Sequence, residues 1–374
     1  MKKIVILSAF LSPLRAGAEA CAEEVPMALA DRYDFTIVTA KMRADLPRHD
    51  TLNGKIPIVR VGLGCTFDKW LYPFLAPLAV AKLKPDIVHA ILESFAGFAL
   101  ILCRASRKIL TCQTTNTNFL RGWILRVPHI VTAINRDLIG NSQSKYCFRK
   151  IMYIPNGVNL DEFKPASRVP KRRGRVLFVG RLESMKGVDT LLDAFKIASE
   201  KHELHLRIVG DGSLRQTLEQ DANKLGIAEK VSFLGYKKTK EVIEEYAQAE
   251  IFCGLSRTEA FGNVFIEAQA AGCAVIATNV DGVRQVVAKD EGHKGIYTKQ
   301  KYSALLVNPN NPKEAANCIV KIYKDGDLRT QLVKLGKKNA EKHDWKNIAR
   351  QYSNYYEQAL ALDIESLKER YRRM

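Results

Sequence analysis

Glu259 and Glu267 stand eight residues apart, with Phe261-Gly262-Asn263-Val264 between them. A short apolar helix pattern follows that turn and stops at Gly272, where a left-handed residue is wanted. Asn263 reads as the helix N-cap, which leaves the N–H groups of Val264 and Phe265 pointing outward. A helix mouth of this kind attracts an anion, most often a phosphate. Glu259 lies before the mouth and Glu267 about one turn inside it. A carboxylate accepts well from a pair of sugar hydroxyls. Upstream, the apolar run Val176-Leu177-Phe178-Val179 ends at Gly180, and Arg181 and Lys186 follow before a helical pattern opens at Val188. Both cations therefore sit at the carboxyl end of a strand, the edge where open α/β sheets bind ligands. Arg can grip two phosphate oxygens at once, and Lys acts as a point charge. The chemistry that suits this set is a diphosphate with hydroxyl-rich groups at both ends, as in a nucleoside-diphosphate sugar.

These residues need strands to hold them, and the chain supplies an alternation of strand and helix patterns twice over. The first half predicts strands at 4–7, 35–39, 58–61, 87–90, 108–111, 130–133 and 152–154, with helices such as 18–30 and 74–83. The second restarts at 175–179 and continues at 204–209, 231–234, 251–255, 274–278 and 304–307. Its helices are expected at 190–200, 214–225, 240–247, 264–271 and 312–324. Such alternation predicts parallel sheets with right-handed crossovers, an α/β chain. The Pro-flanked, basic stretch Lys164–Gly174 reads as the linker, which makes 1–163 the first domain and 175–349 the second.

Other signatures exclude other chemistries. Val61-Gly62-Leu63-Gly64 and Gly210-Asp211-Gly212 lack the third glycine of a dinucleotide fingerprint, and there is no Gly-Lys-Ser/Thr phosphate loop. No Asp-x-Asp pair suggests a bound metal, so catalysis without cofactor or metal is expected. The eight cysteines are scattered, several in apolar strands, which fits buried thiols better than disulfides or zinc. No apolar run is long enough to span a bilayer, and the apolar start Ile4–Leu7 reads as a buried first strand of a cytoplasmic chain.

The chain resembles the retaining glycosyltransferases of the GT-B fold, and is similar to glycosyltransferase family 4, the glycosyl transferases group 1 proteins. Pro13-Leu14-Arg15-Ala16-Gly17-Ala18-Glu19 resembles the family's Pro-x-x-Gly-Gly-x-Glu loop, and Ile154-Pro155-Asn156-Gly157-Val158 its hinge motif. Gly180-Arg181 through Lys186-Gly187 and Glu259 through Glu267 follow in the family's order. The resemblance implies two Rossmann-like domains facing across a deep cleft. It implies an N-terminal acceptor-side domain and a C-terminal nucleotide-sugar-binding domain. The last helix, about 350–374, is expected to pack back on the first domain. Arg181, Lys186 and Glu259 become the catalytic candidates. Gly17, Asp211, Gly212, Tyr236, Phe261, Gly262, Asn263, Val264 and Glu267 become donor-binding candidates, with Asp211 and Tyr236 near the base. Retention by front-face attack, with the leaving phosphate taking the acceptor proton, is implied as well.

Two departures bear on this. Where the family often carries a His after a first-domain strand, this chain has Gln113, which can hydrogen-bond a sugar but cannot transfer a proton. Ala16 replaces the family's first loop glycine and narrows that loop. His89, at another strand end, joins Gln113 as a candidate acceptor or sugar contact. The net charge of +18 and the mixed basic–aromatic stretch Phe119–Val127 suit an anionic membrane surface, where a lipid-linked acceptor would be presented. No nucleic-acid motif accompanies the charge. Two readings stay open: an active transferase acting on a glycan or lipid-linked acceptor in cell-surface polysaccharide or glycolipid synthesis, and a degenerate GT-B protein that binds without turnover. Another GT-B activity, such as a sugar-nucleotide epimerase, is a third.

Overall fold

The computed structural model describes residues 1–12, 17–105, 107–114, 121–136, 139, 151–287 and 302–363. Two compact units result: Met1–Asn156 with Trp345–Met374, and Gly157–Asp344.

The first unit holds β1 (Lys2–Leu7), β2 (Tyr33–Ala40), β3 (His49–Leu52), β4 (Ile56–Val61), β5 (Ile87–Ile91), β6 (Lys108–Cys112), β7 (Ile130–Ala133) and β8 (Ile151–Tyr153). Their order is β3-β4-β2-β1-β5-β6-β7-β8, parallel except for the β3–β4 hairpin. The strands are apolar on both faces because helices cover both. Ile4 and Ile6 of β1 share a core with Cys21 and Val25 of the helix Gly17–Leu29 and with Tyr352 and Tyr356 of the C-terminal helix Trp345–Leu360. Val5 and Leu7, pointing the other way along a period of two, are buried as well. The helices Asp68–Leu83 and Phe95–Leu102 pack on one another and on β1.

The second unit holds β9 (Arg172–Val179), β10 (His205–Val209), β11 (Val231–Phe233), β12 (Ala249–Gly254), β13 (Ala274–Thr278) and β14 (Leu305–Val307). All its pairings are parallel, in the order β11-β10-β9-β12-β13-β14. Leu191, Leu192 and Phe195 of the helix Val188–Ser199 fill the space over Val176, Phe178 and Ile251. In each sheet the chain runs outward in one direction and then resumes on the other side of its first strand. That puts topological switch points between β1 and β5, and between β9 and β12.

The expected linker is a folded part of the second unit. The chain passes between units at Asn156–Gly157 and returns at Asp344–Trp345. Leu160–Phe163 is helical, Ala166 is buried, and Phe163 lies against the Tyr246 ring. Lys171 donates to the carbonyls of Tyr246 (3.0 Å) and Ala271 (2.6 Å), and burial pushes its pKa down. Its charge reads as solvated linker in the sequence, yet it satisfies the carboxyl ends of two segments. The expected helix at 74–83 begins earlier, at Asp68, and the hairpin strand β3 and the helix Phe95–Leu102 are additions.

His89 is fully buried and has no ring nitrogen left for a sugar. Nδ1 meets Tyr356 Oη at 2.8 Å and Nε2 meets Thr111 Oγ1 at 2.7 Å. This corrects the expected acceptor contact: His89 binds the C-terminal helix to β5 and β6. Desolvation lowers its pKa to about 3. The unfolded chain takes that proton near pH ~6.5, so stability should fall as the pH drops below that value and continue falling toward about 3. Tyr356→Phe, which strands the buried Nδ1, should cost about 1–3 kcal/mol in denaturant melts at neutral pH. An unchanged midpoint would show that the bond contributes nothing.

Candidate functional site

Except for Gly17, which opens a helix of the first unit, the candidate donor residues gather at the carboxyl ends of the second unit's strands. Arg181 and Lys186 follow β9, Asp211 and Gly212 follow β10, Tyr236 follows β11, and Glu259 through Val264 follow β12. The first three loops are zipped together by backbone. Gly180 N donates to Val209 O (3.0 Å), Leu182 N to Asp211 O (2.9 Å), and Gly210 N to Gly235 O (2.9 Å).

Lys186 and Glu259 come from the two strands that flank the switch point, and they meet. Lys186 Nζ lies 2.5 Å from Glu259 Oε2, both side chains half-buried. Ser256 Oγ donates to the same oxygen at 3.3 Å. Gly187 makes the approach possible: its φ is +63° and a Cβ there would collide with the Leu255 carbonyl. Arg257, unnoticed in the sequence reading, fastens the two loops. Its backbone N–H donates to Met185 O at 2.8 Å, its Nη1 to Ser184 O, and its Nη2 to Asp189 Oδ2 at 2.7 Å. Its Nε reaches Asn310 Oδ1 at 2.7 Å. Burial raises the Asp189 pKa, but the bonds from Arg257 and the backbone outweigh it, so the carboxyl stays below its ordinary range.

The helix mouth differs in one residue from expectation. The helix runs Asn263–Ala270, so Gly262 is the N-cap and Asn263 its first residue. Gly262 takes φ +93°, and a Cβ on it would press on the Phe265 ring and the Glu259 side chain. An Asn N-cap would need extended backbone, so the left-handed turn selects Gly there and shifts the start by one. Phe265 N–H does not point outward; it donates to Gly262 O at 3.1 Å. Val264 N–H remains at the mouth with no carbonyl four residues back inside the helix. The far end is as expected: Gly272 has φ +80°, its N–H meets Gln269 O, and Cys273 N–H meets Ala268 O. Phe261 is buried, with its ring against His343.

Glu267 is half-buried in the second turn of this helix and accepts from Tyr246 Oη at 3.1 Å. Burial, and then the Glu267 charge, raise the Tyr246 pKa well above its usual value, so it stays a neutral donor. Arg181 is exposed and pairs with Glu183 at 2.8 Å. Asp211 is exposed, accepting from Gly212 N (2.8 Å) and Arg215 Nη1 (3.2 Å), and Tyr236 is exposed beside it in the loop after β11. Asn279, at the carboxyl end of β13, keeps a buried Oδ1 with no partner, the one such side-chain atom among the described residues. The helix that follows it, Asp281–Val287, places Gly282 against the Glu259 carbonyl. Nothing in the residue spacing marks Asn279.

In the first unit Gln113 is buried, and its amide exchanges two 3.1 Å bonds with the amide of Asn156. The expected sugar-facing amide is therefore engaged within its own unit. Asn156 Nδ2 also reaches Gly17 O at 3.5 Å. Glu93, missed in the sequence, is buried after β5 and accepts from Gln113 N (2.8 Å) and Thr114 Oγ1 (2.9 Å). Residues Pro13–Ala16, and with them the Ala16 departure, lie outside the described residues.

Comparison with known proteins identifies the family. Residues 160–339 match the family model for glycosyl transferases group 1, and residues 15–162 match that for glycosyltransferase family 4. The chain belongs to this family of GT-B glycosyltransferases. An uncharacterized glycosyltransferase of Methanocaldococcus jannaschii is 30% identical over 226 residues, covering 57% of this chain and 55% of that one. The phosphatidyl-myo-inositol mannosyltransferase of Mycobacterium tuberculosis is 33% identical over 213 residues, covering 54% and 53%. The match thus spans about half the length of these curated relatives. Among solved structures, sucrose-phosphate synthase from Thermosynechococcus elongatus has a TM-score of 0.81 at 21% identity, over 96% of this chain and 100% of that one. Anabaena HepE in complex with UDP-glucose has a TM-score of 0.74 at 18% identity, over 96% and 100%. These structural likenesses share the fold.

Proposed function

We propose that this glycosyltransferase moves a sugar from a nucleoside-diphosphate donor to a glycan or lipid-linked acceptor with retention of anomeric configuration. The setting is cell-surface polysaccharide or glycolipid synthesis, at the cytoplasmic face of a membrane. The observation that carries the reading is the Lys186–Glu259 pair at 2.5 Å, stapled across the switch point beside the mouth of the Asn263–Ala270 helix. Breaking a sugar–diphosphate bond leaves an oxocarbenium-like sugar and new negative charge on the phosphate. Lys186, Arg181 and the helix-mouth N–H supply preorganised positive charge for it, so the proposal requires no metal. Glu259 faces the donor sugar and Glu267 the ribose hydroxyls, with Tyr246 Oη holding the Glu267 carboxylate in place. HepE, which shares the fold, was solved with UDP-glucose, and this supports a nucleotide-sugar donor here.

A panel of UDP-, GDP- and ADP-sugars read by thermal shift should single out one donor, because a ligand held only by the folded chain raises its apparent stability. Product anomers read by NMR then test retention. A flat panel would count against the donor site. The engaged amide of Gln113, at the place of the family's His, favours the second reading, binding without turnover. A donor that shifts the melt but is never consumed in the presence of acceptors would establish it.

A further inference from the structure

The helix Asp68–Leu83 is apolar on both sides. One side, with Tyr72, Ala76 and Val80, is buried in the first unit. The opposite side carries Phe67 (58% exposed), Trp70 (57%), Phe74 (59%) and Leu78 (63%). At 100° per residue these four fall within a narrow arc, so they form one stripe along the helix. An apolar face of this size on a surface helix marks a contact with something that is not water. The stripe is held rigidly. Trp70 stands edge-on to Phe95 at 5.2 Å between ring centroids, and Phe74 to Phe98 at 6.1 Å. The loop before it presents exposed Leu63 and is fixed by Asp68, whose carboxylate accepts from the N–H groups of Leu63, Gly64 and Cys65.

Charge decides the occupant. Over residues 62–85, 95–105 and 121–136 the single acidic residue is that buried Asp68. The exposed charges described on these segments are cations: Lys82, Lys84, Arg104, Arg126 and Arg136. The adjoining loop adds an Arg43–Asp45 pair that is neutral overall. Two copies of this face pressed together would set like charges against each other, which disfavours self-association. Aromatics flanked by Lys and Arg are the composition of a surface that lies in the interface of an anionic bilayer. In the stretch expected to play this part, Phe119–Val127, the exposed residues among those described are Trp123 and Arg126. Ile124 and Leu125 belong to the core, and Phe119 and Leu120 lie outside the described residues.

We infer that the face formed by the helices Asp68–Leu83 and Phe95–Leu102 docks on an anionic lipid bilayer. Phe67, Trp70, Phe74 and Leu78 enter the headgroup–acyl boundary, and Lys82, Lys84 and Arg104 lie among the headgroups. The inference deepens the lipid-linked acceptor of the proposed function, and rests on that reading only for its biological purpose; its observations are independent of the donor site.

The test is flotation of the full chain with phosphatidylcholine vesicles, with and without phosphatidylglycerol, at low and high salt. The parent should float with the phosphatidylglycerol vesicles at low salt and be released as salt rises. Trp70→Ser with Phe74→Ser should abolish flotation, and Lys82→Glu with Lys84→Glu should weaken it by roughly tenfold or more. As a readout that needs no surface disruption, lipids brominated in the acyl chain should quench parent tryptophan emission, and Trp70→Phe should remove the part of that quenching that Trp123 does not supply. A parent that ignores anionic vesicles, or variants that float like the parent, would overturn the inference. So would a dimer in light scattering that the Trp70 and Phe74 changes dissolve, since the occupant would then be a second copy. Nucleoside-diphosphate titration runs alongside. A chain that binds nucleotide but not vesicles defeats the membrane face alone, and one that floats but binds no nucleotide defeats the donor reading alone.

Discussion

Lys186→Ala should slow sugar transfer by roughly a hundredfold to a thousandfold while the fold stays intact. The ammonium is half-buried at the carboxyl edge of the sheet, where it is screened less than a surface charge. Removing one preorganised donor to a developing oxyanion costs about 2.7–4 kcal/mol of barrier, which sets that range. The loss is sharpened by the partner: without Lys186, Glu259 keeps Ser256 alone at 3.3 Å, and its carboxylate then faces the leaving diphosphate uncompensated. Lys186→Arg should recover part of the rate because it restores the charge with different geometry. Initial rates at saturating and limiting donor check this. A variant within about threefold of the parent would mean that the Lys–Glu pair is only a structural clamp.

The two glutamates should fail in different ways. Glu267→Ala should weaken binding of the free nucleoside diphosphate by about tenfold to a few hundredfold, since hydrogen bonds to a charged group contribute about 1.5–3 kcal/mol. Glu259→Ala should leave that binding nearly intact and cut transfer by about a hundredfold, because the role proposed for it falls on the donor sugar and on Lys186. Glu267 also holds Tyr246 Oη, which has the Val264 carbonyl at 3.3 Å as a second acceptor. Tyr246→Phe is therefore the control. It removes that hydrogen bond but keeps the carboxylate, and should retain most nucleotide affinity. Calorimetric titration with a paired donor-consumption assay separates these outcomes. If both Glu variants bind and turn over like the parent, the pair is a solvated face.

What could be read from the chain follows from which interactions are local. The parallel sheets were legible because each strand is a short apolar run bounded by turn residues, as in Val176–Val179 and Ile251–Cys253. The meeting of Lys186 and Glu259 was legible only as two separate loops, since 73 residues divide them. What joins them is the sheet order that makes β9 and β12 neighbours. Arg257 went unseen because its partners Ser184, Asp189 and Asn310 are all distant in sequence. The N-cap shifted by one because Asn and Gly are both good before a helix, and only the left-handed turn over the Phe265 ring decides for Gly262. His89 misled because a polar residue at a strand end looks available until its partner, Tyr356, arrives from far along the chain, and Gln113 likewise finds Asn156. Lys164–Gly174 looked like a linker because its charges have no local partner, and Lys171 finds its own in carbonyls 75 and 100 residues away.

The central claim is that the carboxyl edge of β9 and β12 is a nucleoside-diphosphate site. Calorimetric titration of UDP, GDP and ADP into the parent, Lys186→Ala, Glu259→Ala and Glu267→Ala tests it most directly. The account predicts that one of the three nucleotides binds the parent, that Lys186→Ala and Glu267→Ala weaken it, and that Glu259→Ala does not. Absence of heat from all three nucleotides, or one affinity shared by all four proteins, would contradict it.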